Sequence, residues 1–202
     1  MNVTEMFRDI SFFSCLRKEV IPILSTYPHI RIWHAGCSSG EEAFSMAILL
    51  KEAGLLHKSI IYATDINPDV IHSAAKGVFP TAKMKLYSEN YIASGGTNEF
   101  SSYYTANYDR TVFSQELKDK IVFATHNLVS DRSFNEFQLI LCRNVMIYFE
   151  KELQDKVLTT FKDSLEQLGF LALGSKETLR FSPIVSSYKI FSYKDRIWRK
   201  NI

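Results

Sequence analysis

The chain has 202 residues, a formal net charge of +2 and 46% hydrophobic residues. This length and composition predict one globular domain with room for a small insertion. The low net charge gives no electrostatic footprint for nucleic acid, and no apolar run approaches the length of a membrane span.

The three cysteines, Cys15, Cys37 and Cys142, form an odd set without a C-x-x-C pair. This pattern argues against a disulfide framework or a zinc site and is typical of a reduced cytoplasmic protein. The first residues are mixed polar and apolar, unlike a secretory leader. We therefore expect no metal and a cytoplasmic location.

Residues 1–30 predict a helical segment that precedes the main domain. Asn2 or Thr4 is a candidate helix cap, and an apolar face extends from Phe12 to Leu24. Pro22 is expected to break or kink this helix.

Residues 31–42 predict a buried strand, a turn of small residues and the start of a helix. Gly36 and Gly40 bracket the turn, so backbone N–H groups can approach a ligand closely. This is the nucleoside-binding corner of a doubly wound sheet, but the glycines lack the G-x-G-x-x-G spacing of dinucleotide sites. The neighbouring carboxylates of Glu41 and Glu42 favour a ligand with hydroxyl groups and a positive charge over a pyrophosphate.

Residues 59–66 predict a second strand, and Asn67-Pro68 predicts the start of the next helix. Asp65 lies at the carboxyl end of this strand, where nucleoside-binding sheets carry the acid that holds ribose hydroxyls. A plain turn or helix-cap aspartate is the alternative.

Residues 80–118, approximately, predict a small antiparallel insertion or lid, because glycines, prolines and tyrosines interrupt the alternation of strands and helices. Its aromatic side chains either form the core of the insertion or partly present an edge for a peptide. The remaining predicted elements are strands at 120–128, 137–144 and 170–175, a helix at about 150–168 closed by Gly169, and an antiparallel pair within 188–200.

Such an alternation predicts a mostly parallel, three-layer α/β sheet whose ligands bind at the carboxyl ends of the strands. Asn127 could then read an adenine edge with paired donor and acceptor groups. His126 is expected to point to the other face of its strand and to be structural. The polar residues that gather at this edge are Asp65, Asn127, Arg143, Asn144 and Tyr148.

The chain resembles the CheR-type chemotaxis-receptor glutamate methyltransferases over almost its whole length. The resemblance rests on N-V-T-E-M-F-R-D at 2–9, A-G-C-S-S-G-E-E at 35–42, A-T-D-I at 63–66, N-L at 127–128, C-R-N-V-M-I-Y-F at 142–149 and G-F-L at 169–171. It implies a Rossmann-like class I methyltransferase: a mostly parallel, doubly wound sheet with a terminal antiparallel strand pair and a small β-subdomain insertion. It also implies S-adenosylmethionine as cofactor and S-adenosylhomocysteine as product.

The resemblance also assigns the site residues. Asn2, Thr4 and Arg8 match a segment that closes over the cofactor, and Glu41 is preferred to Glu42 as a contact because it is nearer the loop. The implied catalytic residues are Arg8, Arg143 and Tyr148. The implied cofactor-binding residues are Asn2, Thr4, Arg8, Ala35, Gly36, Cys37, Glu41, Glu42, Asp65, Asn127, Leu128, Arg143 and Asn144.

The implied reaction is methyl-ester formation on glutamate side chains of chemoreceptor cytoplasmic helices. A receptor's C-terminal peptide could dock on the β-subdomain, and we expect a monomer. The resemblance implies an N-terminal helical domain that residues 1–202 do not contain, so we expect the chain to correspond to the family's C-terminal catalytic domain, either trimmed or naturally short.

Three other functions are alternatives to this reaction. A catalytically idle cofactor- or partner-binding module of a signalling assembly is the main alternative. A nicotinamide oxidoreductase is disfavoured by the two carboxylates and the glycine spacing. A nucleic-acid methyltransferase is disfavoured by the low net charge and by R-N-V at 143–145, where such enzymes carry an N-P-P-Y-type motif.

Overall fold

The computed structural model describes residues 4–202, so Asn2, a predicted helix cap and cofactor contact, lies outside the described residues. The strands in chain order are β1 (Ile30–Ala35), β2 (Ser59–Asp65), β3 (Val78–Pro80), β4 (Tyr104–Asn107), β5 (Arg110–Phe113), β6 (Ile121–Thr125), β7 (Phe137–Cys142), β8 (Leu165–Leu173), β9 (Tyr188–Ser192) and β10 (Ile197–Lys200).

The helices in chain order are α1 (Ile10–Cys15), α2 (Ile21–Leu24), α3 (Glu41–Glu52), α4 (Pro68–Ala75), α5 (Met84–Ala93), α6 (Gln115–Lys118) and α7 (Lys151–Ser164). None of the helices formed by residues 4–202 combines the length and the apolar character needed to cross a bilayer.

Seven strands form the main sheet in the order β6-β2-β1-β7-β8-β10-β9. The first five are parallel, and β10 runs antiparallel to both β8 and β9. The strand order reverses between β1 and β7, which is where doubly wound sheets bind ligands. The predicted parallel sheet with a terminal antiparallel pair is confirmed.

The first helical segment starts later than predicted. Helix α1 begins after Asp9, whose φ is +60°, and the Thr4 hydroxyl is engaged elsewhere, so Thr4 does not cap it. A π-helical turn over Leu16–Val20 joins α1 to α2, with the Ile21 N–H donating to the Leu16 carbonyl. The wider turn places Pro22 in the helical path without the carbonyl clash of a regular α-helix.

Two apolar clusters cover the two faces of the main sheet, and β1 contributes residues to both. Ile32 packs with the cluster around α3, while Trp33 packs with the cluster around α7. Adjacent strand residues point to opposite faces, so this alternation follows from the pleat. Helix α3 is buried on every side from Ala43 to Leu50, beyond the sheet-facing residues predicted from its periodicity.

The predicted antiparallel insertion is a three-stranded sheet in the order β3-β5-β4, but it also contains a helix. Tyr87 and Tyr91, predicted within an antiparallel tract, lie on α5 and are fully buried. Their spacing of four residues is that of one helix face, which explains the error. Phe79 and Phe113 pack against Phe44 of α3, joining the insertion to the main domain.

The predicted end of the long helix is wrong. Helix α7 ends at Ser164, and Leu165 is already extended. Leu168, with a φ of +63°, is the left-handed residue there, not Gly169. Residues 166–169 form an irregularity in β8, because Leu165 pairs with Phe137 and the next paired residue is Phe170.

Candidate active site

A cavity of about 590 Å³ opens at the carboxyl ends of the parallel strands. This volume is in the range of small-molecule sites. The cavity brings together most of the residues predicted to form the site, which are Thr4, Arg8, Ala35, Gly36, Cys37, Glu42, Asp65, Asn127, Leu128, Arg143, Asn144 and Tyr148.

The turn after β1 is fixed by β2 and by Val145. The N–H groups of Gly36 and Cys37 both donate to the Thr64 carbonyl at 2.8 Å. Gly36 has a φ of +79°, and a Cβ added there would overlap the Val145 side chain. Burial raises the pKa of the Cys37 thiol, so this cysteine lines the cavity as a neutral group and not as a nucleophile.

Asp65 is held rigidly at the end of β2. Its Oδ2 accepts the Ser38 N–H at 2.9 Å, and its Oδ1 accepts the Asn67 N–H at 3.1 Å. Asn67 in turn caps α4, as its position before Pro68 predicted. The carboxylate retains lone pairs toward the cavity, where it can accept hydrogen bonds from vicinal hydroxyls.

The structure places Glu42, not Glu41, at the cavity. Glu41 is 1% exposed and accepts hydrogen bonds from Thr4 Oγ1 at 2.9 Å and Ser39 Oγ at 2.6 Å. Tyr87 of α5 donates to the same carboxylate at 3.3 Å. The preference for Glu41 as the cofactor contact therefore lacks support. Consecutive helix residues lie about 100° apart, so nearness to the loop could not decide which one faces the cavity.

Glu42 is bound into a network centred on Arg143. Arg143 Nη1 donates to Glu42 Oε2 at 2.7 Å, and Nη2 donates to Asp9. The guanidinium lies over the Phe12 ring at 3.9 Å and its side chain is 5% exposed. His34, which is also buried, contacts the second Glu42 oxygen through Nδ1 at 3.3 Å. The network ties the segment before α1 to the carboxyl ends of β1 and β7.

This network gives Arg143 a structural role, since each terminal nitrogen has a carboxylate partner and the arginine orders the cavity wall. The forked hydrogen bond toward a substrate carboxylate stays a prediction, because a guanidinium carries five N–H donors. Arg8 also lines the cavity and is the second of the two arginines predicted to orient the substrate.

Burial alone would raise the pKa of the Glu42 carboxyl, but Arg143 and His34 outweigh it and lower the pKa from 4.5 to about 2. The folded state thus favours ionised Glu42, and this stabilisation is complete above pH 4.5 and lost as the pH falls toward 2.

We expect Glu42→Gln to lower the free energy of unfolding at neutral pH by on the order of 2 kcal/mol. The difference from the parent chain should shrink as the pH falls from about 5 to about 2. Urea unfolding at a series of pH values measures it. A difference that stays constant down to the lowest pH would show that Glu42 ionisation is not coupled to folding.

Asn127 begins a tight turn at the end of β6. Its Oδ1 accepts the N–H groups of Val129 and Ser130 at 2.9 and 3.4 Å. The side-chain carbonyl is thus engaged in the turn. Of the donor and acceptor groups predicted to contact a base edge, the amide NH₂ group remains as a donor. Leu128 is 7% exposed and presents an apolar wall to the cavity.

His126 is buried, as expected of a structural residue, but it also lines the cavity. Its ring lies edge-on to Trp33 with the ring centres 5.3 Å apart, and near Phe134 at 5.2 Å. Its Nδ1 has no hydrogen-bond partner among residues 4–202, and the same is true of His34 Nε2. Neither histidine could be assigned to the cavity from the sequence, because the assignment depends on which face of its strand points toward the cavity.

The mouth of the cavity is formed by the segment after β7 and the turn after β8. Asn144 has a φ of +61°, and Tyr148 ends a short 3₁₀ turn and is 78% exposed. Ser175 and Lys176, in the turn after β8, also line the cavity. Sequence reasoning missed these two residues, since they follow the end of a buried strand without a recognisable motif.

The groups that line the cavity fit S-adenosylmethionine. Asp65 can accept ribose hydroxyls, Glu42 supplies negative charge for an ammonium or sulfonium group, and Gly36 lets the backbone approach closely. Asn127 can donate to an adenine ring that Leu128 covers. No group of three potential metal ligands occurs within residues 4–202.

Residues 2–191 match the family model "CheR methyltransferase, SAM binding domain". Among curated proteins, the chain is 49% identical over 199 residues to Cher3 of Pseudomonas putida, covering 98% of this chain and 73% of Cher3. It is 34% identical over 182 residues to a chemotaxis protein methyltransferase of Listeria innocua, covering 89% of this chain and 66% of the relative.

A chemotaxis protein methyltransferase of Borreliella burgdorferi is 32% identical over 192 residues, which cover 89% of this chain and 65% of that relative. The chain thus spans about two thirds of the length of these chemotaxis methyltransferases. The family match is consistent with the sheet order and with the cavity at its reversal point. The chain belongs to the CheR methyltransferase family, and residues 2–191 match the family's S-adenosylmethionine-binding domain.

Proposed function

We propose that this chain transfers a methyl group from S-adenosylmethionine to glutamate side chains of chemoreceptor cytoplasmic helices. The observation that carries the proposal is one cavity lined both by two carboxylates, Glu42 and Asp65, and by Arg8 and Tyr148. Because Tyr148 is 78% exposed, the cavity is accessible to a protein side chain at that residue. The chemotaxis names of the relatives support the receptor as substrate.

Bound S-adenosylmethionine supplies a methyl group already activated by the sulfonium, so the protein needs no metal or strong nucleophile. In the proposed displacement, a glutamate carboxylate oxygen bonds to the methyl carbon as the carbon–sulfur bond breaks. The ester and S-adenosylhomocysteine form without proton transfer, because the acceptor is ionised at neutral pH. Arg8 would orient the acceptor carboxylate, and Tyr148 would exclude water from the mouth.

A second contact with the receptor is proposed at the small sheet. Strand β4 pairs with β5 on one side, and residues 4–202 supply no strand for its other side. Thr105, Ala106 and Asn107 are exposed along it. A receptor's C-terminal peptide could add there as a further strand, with backbone hydrogen bonds giving affinity. We propose that the protein acts as a monomer in the cytoplasm, where its three free cysteines would stay reduced.

Methyl transfer to a chemoreceptor cytoplasmic fragment tests the proposed reaction. With labelled S-adenosylmethionine, we expect label on receptor glutamates that is released as methanol by mild base, as an ester requires. Arg8→Ala should lower transfer about 100-fold, whereas Lys85→Ala, on the exposed side of α5, should leave the rate unchanged. Cofactor binding without transfer would support the idle module instead, and an unchanged rate in Arg8→Ala would remove Arg8 from the mechanism.

A further inference from the structure

Glu177, in the turn after β8, is a buried carboxylate outside every motif of the sequence analysis. It is 6% exposed and accepts four backbone hydrogen bonds. Oε2 accepts the N–H groups of Gly174 at 2.6 Å and Asn144 at 3.0 Å. Oε1 accepts those of Val145 at 3.0 Å and Met146 at 2.8 Å. One side chain thus satisfies donors of two separate loops.

The bonding pattern requires a carboxylate. Four converging N–H donors need an acceptor-only group, and an amide would turn its own NH₂ toward two of them. Gly174 must remain small, since a Cβ there would lie 2.7 Å from both Glu177 Oε2 and the Asn144 nitrogen. The turn after β8 is therefore built to hold the backbone of residues 144–146.

Residues 144–146, which Glu177 holds, shape both the turn after β1 and the mouth of the cavity. Val145 fills the space above Gly36 in the turn between β1 and α3 (residues 36–40), the cofactor turn. Asn144 is held in the left-handed region, which asparagine adopts more readily than most non-glycine residues. Met146 starts the 3₁₀ turn that ends at Tyr148. Displacing this backbone would move Val145 from the cofactor turn and Tyr148 from the mouth.

We propose that Glu177 is a positioning residue of the methyltransferase site, which it serves by fixing residues 144–146 and, through them, the cofactor turn and Tyr148. The proposal rests on the proposed function for its effect on transfer. The structural part of the proposal, that Glu177 holds four backbone N–H groups, is independent of that function.

Glu177→Gln in the 202-residue chain tests the proposal. We expect hydrogen exchange of the Gly174, Asn144, Val145 and Met146 amides to become at least about 10-fold faster, since two of the four acceptor contacts are replaced by donor–donor contacts. The dissociation constant for S-adenosylhomocysteine should rise at least about 10-fold, and the rate of transfer at saturating cofactor should fall about 100-fold, because small displacements of positioned groups are costly.

Glu52→Gln is the matched control. Glu52 is 4% exposed and accepts hydrogen bonds from Arg17 and Tyr103, and it lies ten residues, or about 15 Å, along α3 from Glu42. We expect it to destabilise the fold while leaving the dissociation constant within about twofold.

If Glu177→Gln does not fold, Glu177→Asp replaces it, because the shorter carboxylate keeps its charge but cannot reach both loops. Parent-like affinity and amide exchange in the folded variant would overturn the proposal, as would an equal loss of affinity in Glu52→Gln. If the parent chain binds no cofactor, the proposed function fails. The hydrogen-exchange data alone then test whether Glu177 holds the four amides.

Discussion

Gly36→Ala is expected to lower affinity for S-adenosylhomocysteine by at least about 100-fold and the free energy of unfolding by about 2–4 kcal/mol. Gly36 has a φ of +79°, and an added Cβ would overlap Val145 Cγ2. Val145 cannot easily move away, because its N–H donates a hydrogen bond to Glu177. The cofactor turn must therefore shift, and calorimetric titration together with urea unfolding would measure both losses.

Gly54→Ala separates backbone strain from the steric clash at Gly36. Gly54, just after α3, has a φ of +70° but nothing within 4 Å of an added Cβ. It should cost about 1 kcal/mol of stability and leave affinity unchanged. Equal effects of the two substitutions would mean that the contact between Gly36 and Val145 does not shape the site.

Arg143→Met is expected to lower the free energy of unfolding by about 3 kcal/mol and to abolish measurable cofactor binding. The change leaves the Glu42 and Asp9 carboxylates without their shared cation. Glu42 is only a quarter exposed, so water compensates poorly. The segment before α1, which carries Arg8, would also lose its tie to β7. Urea unfolding and titration with S-adenosylhomocysteine test the two effects.

Arg31→Met provides the control for Arg143. Arg31 pairs with Glu166 at 3.5 Å, with side chains 36% and 25% exposed. It lies near the amino end of β1, whereas the Arg143 network lies at the carboxyl ends of β1 and β7. Such a pair contributes about 1 kcal/mol or less. If Arg143→Met were no more harmful than Arg31→Met, the Arg143 network would not organise the site.

The sheet could be predicted from sequence because its strands are continuous apolar runs, each ending in a polar residue or turn. Residues 59–66 and Asp65 are an example, and β2 has nearly those bounds. The cavity followed from the same rule, since parallel strands place their carboxyl ends at one edge. Local sequence patterns were sufficient here because the end of each apolar run also marks the strand end that faces the cavity.

Other features depend on contacts distant in sequence. Which of Glu41 and Glu42 lines the cavity depends on partners such as Thr4 and Arg143, which no local pattern identifies. The role of Glu177 was hidden because its donors at 144–146 lie about 30 residues away, in a separate loop. The helix that carries Tyr87 and Tyr91 could have been recognised from their spacing of four residues.

Calorimetric titration of the 202-residue chain with S-adenosylhomocysteine tests most directly whether this cavity is the cofactor site. The predicted result is one site per chain with a dissociation constant on the order of micromolar, competition by S-adenosylmethionine, and loss of binding in both Gly36→Ala and Arg143→Met. Absence of binding by the folded parent chain, or binding that survives both substitutions, would contradict the account.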